Sequence, residues 1–71
     1  MGVQSGAMGA TRAEVLSKAE AVFGSRSAAL RWLREPAIGL DGHVPLDLLR
    51  TVPGRQLVYD LLLRLERGVY S

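Results

Sequence analysis

The residues able to do chemistry in this chain of 71 are a single histidine, eight arginines, two tyrosines and seven scattered carboxylates, with no cysteine. His43 stands alone. A metal site needs several ligands at matched spacing, and no HxxxH, CxxC or carboxylate cluster surrounds it, so it is expected at the surface or as a cap. A Ser-His-Asp set needs a strained nucleophile elbow and an oxyanion loop, and neither a Gly-x-Ser-x-Gly turn nor a preceding strand is present. Walker-type and dinucleotide-binding glycine loops are also missing. These absences leave no catalytic residue, cofactor site or metal ligand to name, and so short a chain has little room for a deep pocket. Binding, not catalysis, is the favoured class.

Arginine is a planar donor suited to carboxylates, phosphates and protein interfaces. Arg12, Arg26, Arg31, Arg34, Arg50, Arg55, Arg64 and Arg67 are interspersed with acids, and the formal net charge is only +2. A nucleic-acid binder usually gathers its basic residues on one stripe, so most of these are expected to be solvated surface groups and no direct nucleic-acid binding is expected. Trp32, four residues after Ala28 and next to Leu33, reads as a core anchor rather than a stacking platform.

Tyr59 and Leu63 lie four apart on a helical pattern whose core face is Leu57, Val58, Leu61, Leu62 and Leu65, spaced at ~100° per residue. They fall beside Glu66 and Arg67, away from that face. Two readings stay open: a contact surface for a partner, or two apolar groups covering one another on a solvated helix. Beyond them Gly68-Val69-Tyr70-Ser71 places a flexible joint before an aromatic residue and the chain terminus. Such a tail either reaches into a partner's cleft or frays.

The elements that must position these residues are helical. Thr11 caps a first helix from Arg12 to Phe23, with Glu14 completing a capping box. Its apolar face is Val15, Leu16, Ala19, Val22 and Phe23, and Gly24 stops it. Ser25 caps a second helix over 26–34, whose apolar face is Ala28, Ala29, Trp32 and Leu33, and Pro36 forbids its continuation. Ile38 and Leu40 are expected to pin the following loop onto the core, with a turn at Asp41-Gly42. Pro45 opens a brief third helix ending near residue 50, with Leu46, Leu48 and Leu49 supplying apolar contacts. The last helix runs from 53 or 54 to 67, capped near Thr51 and stopped by Gly68.

This pattern defines an all-α fold: a compact bundle of about four short helices over 11–71, preceded by a flexible leader at 1–10 that holds three of the eight glycines. The 48% hydrophobic content is enough to build one core, but below roughly 70–80 residues one core supplies only a few kcal/mol, which favours further burial against a partner or a second copy. Without cysteine, packing alone holds the chain. No apolar run approaches the ~18 residues of a membrane span, and a cytoplasmic location is the default expectation.

Taken in order, Val22-Phe23-Gly24-Ser25, Trp32-Leu33, Pro36, Leu40-Asp41-Gly42, Pro45-Leu46-Asp47-Leu48-Leu49-Arg50-Thr51, Gly54 and Leu65-Glu66-Arg67-Gly68-Val69-Tyr70 resemble the toxin-binding domain of Xre/MbcA/ParS-type antitoxins. The resemblance implies an antitoxin of a type II toxin-antitoxin pair whose partner is a RES-domain toxin acting on NAD, while the domain itself takes no cofactor. It also implies that a C-terminal segment obstructs the toxin's active site, which maps onto Arg64, Arg67, Gly68, Val69, Tyr70 and Ser71 and gives the Tyr59/Leu63 stripe a role. Two departures stand out. Members commonly carry an N-terminal helix-turn-helix domain, for which the residues before the first helix offer no pattern, and Ala37 stands where the family often has asparagine. A small DNA-binding protein and a homodimer built on the Tyr59/Leu63 stripe are the rival readings.

Overall fold

The computed structural model describes residues 10–68, and the expectations for residues 1–9 and for Val69, Tyr70 and Ser71 fall outside it. Among the described residues there are four α-helices, α1 (Arg12–Phe23), α2 (Arg26–Leu33), α3 (Pro45–Leu48) and α4 (Val52–Arg67), with one 3-10 turn (Ile38–Leu40) and no strand. The helix boundaries follow from local chemistry. Thr11 and Glu14 form the reciprocal capping box, Ser25 accepts the amide of Ala28, and Thr51 accepts that of Gly54. Each of these contacts satisfies a backbone donor that has no partner within its helix. Gly24 and Gly68 end α1 and α4 at φ of 89° and 65°, a left-handed geometry that glycine adopts without steric cost.

α1 and α2 form a helical hairpin, and α4 packs across α1, with α3 and the 3-10 turn against its other contacts. Val15, Ala19, Ala29, Leu33, Leu49, Val58 and Leu62 are essentially removed from solvent and form one continuous core with Leu40 and Leu61. Burying a valine or leucine side chain contributes roughly 1.5–3 kcal/mol, so this shared core holds together helices too short to persist alone.

Three sequence expectations need correction. Ile38 does not pin its loop: it is 97% exposed, and Leu40 alone turns inward, at 7%. The reason is the 3-10 geometry, in which two residues of one tight turn point to different sides. Leu57, assigned to the core face of α4, is 55% exposed, because the buried side of that helix is centred on Gly54, Val58, Leu61 and Leu62. Trp32 sits at the edge of the core, half-buried, with its ring 5.3 Å from that of Phe23. The smaller differences are in length: α2 stops at Leu33 and α3 at Leu48.

Candidate partner-binding surface

α4 positions most of the residues singled out for recognition. Tyr59 is half-buried, partly packed on the core, and edges a shallow depression with Glu14, Ser17, Lys18 and Ala21 of α1. Its ring is therefore shared between the helix interface and solvent, and it is neither a free surface group nor a core residue. Leu63, one turn on, is also half-buried. Beside them the ammonium of Lys18 donates to both carboxylate oxygens of Glu66, at 3.0 and 3.3 Å, and fastens the last turns of α4 to α1.

Arg64 and Arg67 are exposed in the final turn of α4, and among the described residues neither forms an ion pair. Their positive charge also complements the negative end of the helix dipole. The amide of Gly68 donates to the carbonyls of Arg64 and Leu65 and redirects the chain out of the helix. The structure thus brings Tyr59, Leu63, Arg64, Arg67 and Gly68 onto one helix and its cap, while Val69, Tyr70 and Ser71 lie outside the described residues.

The opposite end of α4 carries an arrangement that sequence reading missed. The guanidinium of Arg55, counted above among the scattered arginines, is half-buried and donates to the carbonyls of Ala10 and Leu49, each at 3.0 Å. Gln56 accepts the amide of Ala10 at 3.2 Å and donates to Asp60 at 2.8 Å. Ala10, placed above in the flexible leader, is instead 7% exposed and held by α4 through both its amide and its carbonyl. No local signal predicts this, since both acceptors of Arg55 are main-chain carbonyls, one of them 45 residues away.

His43 is exposed in the loop between the 3-10 turn and α3, where its backbone closes that loop through Ala37 and Leu40. Among the described residues no group of three metal-ligating side chains converges, and no helix is long and apolar enough to cross a membrane.

Four short helices around a small core, with an outward-facing cationic helix end, define a small all-helical domain. The chain belongs to the Xre/MbcA/ParS antitoxin family: the family model for the antitoxin Xre/MbcA/ParS C-terminal toxin-binding domain matches residues 18–68. It is 38% identical over 56 residues to the antitoxin Xre of Pseudomonas putida, covering 79% of this chain and 35% of the relative. It is also 42% identical over 48 residues to the antitoxin Xre of Yersinia enterocolitica, covering 68% of this chain and 32% of the relative. The chain therefore spans about a third of the length of these curated relatives. No solved structure matches it.

Proposed function

We propose that this domain is the neutralising half of a type II toxin-antitoxin pair, binding a RES-domain toxin that consumes NAD and obstructing its active site with the segment after Gly68. The observation that carries the reading is the family match, which runs from the middle of α1 through the whole of α4 to Gly68. The exposed Arg64 and Arg67 support it, because guanidinium groups without partners on a rigid helix suit an interface in which a few desolvated anchors supply most of the affinity. On this reading the domain acts in the cytoplasm, is not an enzyme and binds neither NAD nor DNA itself; pairing of two copies is compatible with it.

The test uses the full chain with a RES-domain toxin and follows NAD loss. Removal of Val69 to Ser71, or Tyr70→Ala, should restore toxin activity while leaving the thermal midpoint of the antitoxin unchanged. Full protection by the truncated chain would exclude obstruction by the tail, and absence of any complex with a RES toxin would exclude the reading as a whole.

A further inference from the structure

An open apolar groove lies where α1, α2 and α3 meet, with no residue of α4 in its lining. Leu33 and Leu49, at 1% and 3% exposure, form its floor. Leu16 and Leu30 form the walls, Leu46 stands 38% exposed at the rim, and the space enclosed is about 310 Å³. Arg12 is the one charged group in the lining. Leu30 also borders the adjoining depression, where Arg31, Arg34 and Glu35 are found. Among the described residues Lys18 and Arg26 each hold a glutamate, whereas Arg12, Arg31 and Arg34 form no ion pair. The leucine floor is thus edged by the unpaired guanidinium of Arg12, while Arg31, Arg34 and the carboxylate of Glu35 line the depression next to it, across Leu30.

We propose that this groove receives an amphipathic helix of a protein partner, one whose apolar stripe is flanked by acidic side chains. The groove is only about half enclosed, whereas a small-molecule site encloses most of its ligand's surface. An open leucine-floored channel instead suits a ridge of side chains at i, i+3, i+4 and i+7. The sign of the flanking charge selects the partner: carboxylates meet the arginines as charge-assisted hydrogen-bond acceptors, and a basic helix is repelled. A second copy of this chain fits poorly, since the exposed end of its longest helix carries Arg64 and Arg67. The groove is separate from the α4 surface assigned above to the toxin, so the two readings stand or fall independently.

The test adds two helical peptides of about 16 residues to the full chain with methyl-labelled leucines. Both carry the same leucine stripe, one with glutamate flanks and the other with lysine flanks. The glutamate peptide should shift the methyls of Leu16, Leu30 and Leu46 and bind at least about tenfold tighter than the lysine peptide. Arg12→Ala combined with Arg34→Ala should remove most of that preference, and Leu46→Lys should abolish binding at an unchanged thermal midpoint. Deleting Val69 to Ser71, which tests the toxin reading, should leave peptide affinity as it was.

Four results would overturn the proposal: no methyl shift up to about 1 mM peptide, equal binding of the two peptides, contacts from Leu46 to residues 1–9 in the free chain, or a homodimer that Leu46→Lys disperses. Should Leu46→Lys fail to fold, the paired arginine substitutions decide.

Discussion

The carbonyl oxygen of Leu48 occupies the space that a Cβ on Gly54 would need, so the end of α3 and the first turn of α4 meet backbone to backbone. The contact leaves no flexible side chain to yield. Gly54→Ala is therefore expected to cost about 2–4 kcal/mol in chemical denaturation, although alanine is the better helix former. A loss below about 0.5 kcal/mol would mean that the two segments do not approach so closely.

Ile38 and Leu40 make a paired test of the loop. Leu40→Ala should destabilise by about 2–3 kcal/mol, since it removes a buried side chain, whereas Ile38→Ser should stay within about 0.5 kcal/mol of the parent. Comparable losses at both positions would put Ile38 back in the core, and thermal melts of the two variants would show it.

Arg55 joins Ala10, Leu49 and α4 through two charge-assisted hydrogen bonds. Arg55→Met keeps most of the aliphatic stem and leaves two carbonyls without their donor, at an expected cost of about 1–3 kcal/mol. Amide exchange near Ala10 and Leu49 should accelerate in this variant; unchanged protection at both would remove the clasp.

The Lys18 to Glu66 bridge is partly solvent-exposed, at 23% and 42% for the two side chains. Lys18→Ala should cost less than about 1 kcal/mol, and that difference should shrink in high salt. A larger, salt-independent loss would show that the lysine stem, not its charge, is what matters.

Arg64→Glu with Arg67→Glu should weaken toxin binding by about tenfold or more while costing only about 1–2 kcal/mol of stability, the helix-dipole penalty of two negative charges in the last turn, because both groups are exposed and unpaired. Calorimetry with the purified pair measures this directly, and unchanged affinity would take the helix end out of the interface.

Much of the architecture was legible in the chain because its signals are local. Thr11, Ser25 and Thr51 mark helix starts by side-chain hydrogen bonding, Gly24 and Gly68 mark ends by left-handed geometry, and Val15, Ala19, Val58, Leu61 and Leu62 follow the helical period. The misreadings came from tertiary context. Leu57 belongs to the apolar stripe by sequence, but the packing on α4, including the 3-10 turn seated on Leu61 through Gly39, closes over Leu61 and leaves Leu57 55% exposed. Ile38 and Leu40 are equally hydrophobic, and only the pitch of that turn separates them. For the candidate site, periodicity set Tyr59 and Leu63 apart from the core face but gave no sign that α1 would half-cover Tyr59, and the family resemblance supplied the role of the arginines. The Arg55 clasp depends on main-chain acceptors, which leave no trace in side-chain spacing.

The clasp at Ala10 and the cap at Gly68 sit on opposite ends of one rigid rod: thirteen residues at about 1.5 Å each separate Arg55 from Gly68, a span of roughly 20 Å. The two points at which α4 fixes the described chain, the main chain of Ala10 and the cap at Gly68, therefore lie almost a full helix length apart. A dye placed on the exposed Val52, at the Arg55 end of the rod, would stand roughly 24 Å from Gly68, so labelling there offers a way to watch complex formation at the other end without blocking it.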